Sequence, residues 1–217
     1  MSSPDPLETV RPRPRDEVAA MAVAVQANVV TLKVAWSRRA RTAPEAHEIR
    51  TPPPGAVRRF REVLIDRSAL LEYSDAELAL RTRQVWGEFT VLCWVLGHDD
   101  PHRPPDYASA TPDAAMRCAG HLHDKIGRVA GGLWRLRHEQ RWRFDPAAAA
   151  DPAFAQDHQV ALSTPLRVFG RAIGLCSNEE LLLAACEHAG MLAALRWTLD
   201  SRRGWEAPGI MDVPAAV

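Results

Sequence analysis

Lysine is almost missing from this chain. Of its 27 basic residues only Lys33 and Lys125 are lysine; the rest are arginine. Together with abundant alanine and 17 prolines, this usage fits a high-GC bacterial coding bias. Its physical consequence is that nearly every cation is a planar guanidinium suited to bidentate pairing and ring stacking. Cysteine is scarce as well: Cys93, Cys118, Cys176 and Cys186 show no CxxC spacing and sit in apolar stretches. That excludes a disulfide framework and predicts buried free thiols in a reducing compartment. Net charge is absent, 27 bases being matched by 27 acids, so no global field draws the protein to nucleic acid or to an anionic membrane.

Long apolar runs are lacking too. The nearest is Val18–Leu32, which carries Gln26, Asn28 and Thr31 and is expected to be too short and too polar to span a bilayer. It also lacks the clean apolar core of a secretory signal. A cytoplasmic location with no membrane partner is therefore predicted. No Walker or dinucleotide-type glycine spacing occurs, no serine sits in a nucleophile elbow, and no internal repeat is present.

What is there suits one globular domain. The 217 residues are 47% hydrophobic and 25% charged, and a chain of that size buries about 70% of its unfolded surface. Residues 1–15 hold four prolines and form a flexible Arg/Pro arm. A single helical domain is expected over 16–204, followed by a tail at 205–217 that begins with Trp205. Charge is spread unevenly. Residues 1–67 carry twelve bases against eight acids, residues 117–143 seven against two, and residues 145–217 five against nine. A basic middle and an acidic end favour self-association or docking of a charged partner.

The expected fold is mainly α, a bundle of about five helices. The stretch from Asp16 to Trp36 has helical spacing but also alternates, so a hairpin near 22–36 stays open beside the helix. A short amphipathic helix carries Val57, Phe60, Leu64 and Leu71. Ser74-Asp75-Ala76-Glu77 is a capping box that opens a helix to about Leu96. Thr111 with Pro112 starts another, running to about Arg143. Residues 145–163 are expected to be irregular, and the best short strand or hairpin falls at 165–173. Ser177-Asn178-Glu179-Glu180 is a second capping box, opening a last helix that is apolar nearly all round. Such a helix is central to a bundle or shared with another subunit. Leu181, Leu192, Leu195 and Trp197 are its candidate interface residues.

Three groups of residues suggest chemistry. Trp134–Phe144 (WRLRHEQRWRF) packs arginines among aromatic rings, the combination that phosphate contacts and base stacking require. Its candidate nucleic-acid-binding residues are Arg135, Arg137, Arg141, Arg143, Trp134 and Trp142, helped by Arg11, Arg13 and Arg15 of the arm. Glu187-His188 lies on the last helix, where His188 is expected to be buried and hydrogen-bonded to a carbonyl. Gly120, Gly127 and Gly131 line one helix face and would let a second helix approach closely, while His121 and His123 face opposite ways.

The run Gly120-His-Leu-His-Asp-Lys-Ile-Gly-Arg-Val-Ala130 resembles the His-Asp signature of HD-type phosphohydrolases, with Lys125 inserted after the pair. The resemblance implies a divalent metal held by His123 and Asp124, with His98 and Asp200 as further ligands, activating water against a phosphate ester. Otherwise no cofactor is expected. The leading expectation is a non-enzymatic accessory or regulatory protein that acts through protein contacts and self-associates. Nucleic-acid binding and metal-dependent phosphohydrolysis are the alternatives.

Overall fold

In the computed structural model, which describes residues 11–40, 60–99, 116–163 and 165–206, Ser74 and Ser177 open the two central helices. The Ser74 amide donates to Glu77 Oε2 at 2.7 Å and the Glu77 amide returns the bond to Ser74 Oγ at 3.2 Å. Ser177 and Glu180 repeat the box at 2.7 and 3.1 Å. Each box satisfies amides that the first helical turn leaves without partners.

Six helices occur among the described residues: α1 (Arg15–Ala40), α2 (Asp75–Val95), α3 (Ala119–Phe144), α4 (Pro146–Ala150), α5 (Pro152–Ser163) and α6 (Asn178–Leu199). Helix α1 packs on α2, α2 on α6, and α6 on α3. The fold is mainly helical, as expected. The core joins Met21, Val25 and Leu32 of α1 to Leu78, Val85 and Leu92 of α2, and continues through α6 to Leu122, Val129 and Leu136 of α3. Helix α6 is apolar nearly all round because it is sandwiched between α2 and α3. Leu181, Leu192, Leu195 and Trp197, expected at a subunit interface, are buried in the chain's own core.

The stretch 22–36 is wholly helical. The β-branched residues there are tolerated because α1 is packed, and tertiary burial outweighs propensity. Asn28 is buried for a reason: its Nδ2 donates to the Val63 carbonyl at 2.9 Å and its Oδ1 accepts from the Ile65 amide at 2.9 Å. That bond pair fastens residues 63–65 to α1. The amphipathic helix expected around them reduces to two single 3-10 turns, Arg61–Val63 and Ala69–Leu71, with Leu71 exposed; Val57 lies outside the described residues. By length and composition alone, the 26-residue helix α1 is long and apolar enough to cross a membrane. Half of its most apolar window is buried within the fold.

Other boundaries also moved. Helix α3 begins at Ala119, because the Arg117 amide donates to the Val95 carbonyl at 2.9 Å and holds the chain non-helical there. The expected cap at Thr111 and Pro112 lies outside the described residues. Residues 145–163 are helical rather than irregular. Asp145 accepts from the Ala148 amide at 3.0 Å and Asp151 from the Ala153 amide at 2.9 Å, each Asp followed by a proline in the first helical position. The hairpin at 165–173 forms as β1 (Arg167–Val168) paired with β2 (Arg171–Ala172). Its turn residues Phe169 and Gly170 have φ of 49° and 79°, the positive values that a tight two-residue turn requires.

Both ends of the described chain are docked. Arg13, placed by sequence in a free arm, is buried; its Nε donates to the Trp197 carbonyl at 2.9 Å and its guanidinium lies 4.1 Å over the Trp197 ring. Trp205, expected to open a tail, packs edge-on against Trp197 at 5.7 Å. Three cysteines are buried thiols, whereas Cys118 is exposed at the start of α3.

Candidate functional site on α3

The Arg/aromatic segment divides between the inside and the outside of the protein. Arg135 is only 3% exposed, and its Nη1 donates to Glu139 Oε2 at 3.2 Å. Arg143 donates to Glu139 Oε1 at 2.9 Å, to the Cys176 carbonyl at 2.7 Å and to the Ile173 carbonyl at 3.2 Å. These two guanidinia neutralise one buried carboxylate and tie the end of α3 to the turn before α6. Trp142 is half-buried. The structure therefore spends Arg135, Arg143 and Trp142 on its own packing.

A ring stack holds α5 on α3. His138 lies 4.3 Å from Phe154 and 5.4 Å from His158, and Trp142 is parallel to His158 at 4.2 Å. Both imidazoles are buried, and His138 Nε2 and His158 Nδ1 have no hydrogen-bond partner, like Arg135 Nε and Nη2 beside them. Burial is the main cause that depresses the pKa of both histidines. Their mutual repulsion and the Arg135 charge add to this for His138, while Asp157 and Glu139 oppose it. Neutral imidazoles are the forms this stack accepts.

On the outer side of α3, Trp134, Arg137 and Arg141 are exposed at i, i+3 and i+7, so they form one stripe. Trp134 is 55% exposed, its ring tilted at 33° to His138 with centroids 5.2 Å apart. Arg141 lies 5.0 Å over the Phe154 ring and 3.6 Å from Asp145. Arg137 has no acidic partner among the described residues, and it stands at the edge of a cleft of about 370 Å³ between α3 and α6.

The remaining candidates are scattered. His123 is exposed, with Nδ1 3.0 Å from the Ala119 carbonyl, and Asp124 is exposed beside it. Asp200 accepts from the Arg202 amide and Nε at 3.0 and 3.1 Å. His98 is half-buried beyond the end of α2. Among the described residues no three His, Cys, Asp or Glu side chains are grouped so as to hold a metal ion. His188 is half-buried rather than fully buried; its Nδ1 lies 2.9 Å from the Ala184 carbonyl and its ring covers Gly132. Gly127 and Gly131, expected to admit a packed helix, have nothing within 4 Å of where a Cβ would stand.

No protein-family model, curated protein or solved structure matches this chain. Sequence reasoning missed His138, Glu139, Phe154 and His158, and it missed the cleft residues Arg196 and Arg203. The first four had a signal. Asp145-Pro146 and Asp151-Pro152 are helix starts, and Phe154/His158 and His138/Trp142 are both i, i+4 pairs. The cleft arginines had none, because α3 and the segment after α6 meet only in the folded chain.

Proposed function

We propose that this chain is a non-enzymatic accessory protein that acts by contact and self-associates through the outer stripe of α3. The observation that carries the reading is Trp134, more than half exposed on a stripe with two arginines. Tryptophan and arginine dominate the energetics of protein interfaces, where an exposed ring fills a partner's notch and guanidinia meet carboxylates. A second copy supplies such carboxylates, since residues 145–217 carry nine acids against five bases. Because Leu181, Leu192, Leu195 and Trp197 are buried, the reading rests on α3 rather than on α6. Sedimentation velocity over a wide concentration range tests this. The wild type should dimerise in low salt, and Trp134→Ala with Arg137→Glu should be monomeric with an unchanged melting curve. A wild type that stays monomeric at about 100 μM contradicts it.

A second reading, nucleic-acid binding, is favoured by the same outward set, Trp134, Arg137 and Arg141, which offers one ring for stacking and two phosphate contacts. It predicts that a labelled single strand binds with an affinity falling by one to two units of log K per tenfold rise in salt. No change in anisotropy at 50 mM salt disposes of it.

A further inference from the structure

The cleft between α3 and α6 is built differently from the stripe beside it. Its floor is apolar: Leu133 comes from α3, and Ala189, Leu192 and Ala193 come from α6. Two alanines on successive turns of α6 leave room where larger side chains would have filled the trench. Its rim carries three arginines and one carboxylate, Glu206. Arg137 projects from α3, Arg196 from α6, and Arg203 from the segment that closes the end.

The closing segment is held in place from afar. Arg13 donates to the carbonyls of Trp197 and Arg203, and Trp205 packs on Trp197. The third wall of the cleft is thus fastened before any ligand arrives, which lowers the ordering cost of binding. Arg203 is already paired, with Glu206 at 3.2 Å. Arg137 and Arg196 make no ion pair or side-chain hydrogen bond among the described residues. The one carboxylate lining the cleft, Glu206, is held by Arg203, so Arg137 and Arg196 are left to receive an oxyanion, which each can grip with two parallel hydrogen bonds. The size suits a small molecule, since ligand sites run from about 300 to 1,000 Å³. The apolar floor suits a compact hydrocarbon body.

We infer that this cleft binds a small amphiphilic anion: a carboxylate or phosphate, held by Arg137 and Arg196, on a short apolar body laid over Leu133 and Leu192. The inference shares Arg137 with the self-association proposed above, and it is tested at Arg196 and Ala193, which lie outside the Trp134 stripe.

Isothermal titration calorimetry with octanoate and octyl phosphate tests it, with inorganic phosphate and octanol as the headgroup-only and body-only controls. The expected result is saturable one-to-one binding of at least one amphiphile, with both controls at least about tenfold weaker. Arg196→Gln should cost about tenfold or more in affinity, the loss of a charge-assisted bond. Ala193→Phe should abolish binding by filling the floor while leaving every arginine in place. Both variants should keep the wild-type melting temperature within a few degrees and the wild-type sedimentation behaviour. Failure of both amphiphiles to bind the wild type overturns the inference. So does inorganic phosphate binding as tightly as the amphiphiles, or binding that survives in both folded variants.

Discussion

Gly87 of α2 and Gly190 of α6 are set against each other's helix at one antiparallel crossing. A Cβ on Gly87 would stand 2.1 Å from the Glu187 carbonyl oxygen, and a Cβ on Gly190 2.1 Å from the Gln84 carbonyl oxygen. Neither atom is a flexible side chain that can step aside. The close approach of α2 to α6 therefore depends on two missing methyl groups.

The first expectation concerns the sign of Gly→Ala substitutions. Helix propensity alone makes alanine better than glycine by about 1 kcal/mol. At Gly127 and Gly131, where a Cβ meets open space, each substitution should stabilise the monomer by about that amount. At Gly87 or Gly190 the clash wins, and overpacking should cost about 2–3 kcal/mol or prevent folding. Urea denaturation of the four variants checks the contrast. A stabilised Gly190→Ala would mean that α2 and α6 are not this close.

Glu88 sets a pH dependence. It is 2% exposed, and burial raises its pKa to about 7, against the opposing pull of Arg81 and the Gln84 amide. The folded state holds its proton over a range where the unfolded chain, at 4.5, has lost it. Stability from this group is therefore full below about pH 4.5, falls as pH rises to about 7, and is flat beyond. Glu88→Gln should remove that slope and stabilise the protein at pH 8 by up to about 3 kcal/mol. Equal stability of variant and wild type at pH 8 contradicts the assignment.

The His138–His158 stack has the opposite sign. Both pKa values lie below 6.5, so the unfolded chain takes up protons first as pH falls. Stability from the stack is full above about pH 6.5 and is lost below it. Arg135 and Arg143 discourage the imidazolium forms, and Asp157 and Glu139 oppose them only in part. Because Trp142 lies on His158, its fluorescence should report α5 leaving α3 as pH falls below about 6.5. His158→Phe keeps a ring in the stack and should flatten that transition. An unchanged pH profile in this variant would place the titration elsewhere.

Asn28 ties α1 to residues 63–65 by two buried bonds. Asn28→Leu is similar in size but leaves a carbonyl and an amide without partners, which should cost about 2–4 kcal/mol. The same denaturation experiment measures it, and a loss under about 1 kcal/mol would show that water replaces the side chain.

Several features were legible in the chain because they are decided within a few residues. The two capping boxes need only a serine and a glutamate three positions on, and the 165–173 hairpin needs only its own turn. The all-round apolar character of α6 announced burial on every side, but it could not say whether the cover was this chain or a second copy. The tertiary structure decided that α2 and α3 are the cover. It also separated residues that sequence treats alike. Arg135 and Arg137 sit two positions apart, about 200° around the helix, and one is buried on Glu139 while the other stands free over a cleft. Helix α5, missed in an alanine-rich stretch, has local starts but is anchored only where Phe154 and His158 meet His138 and Trp142. Caps and turns are bonds between near neighbours, so they can be read from the chain directly. The side each arginine faces, the cleft and the ring stack depend on segments distant in sequence coming together, which only the packed fold decides.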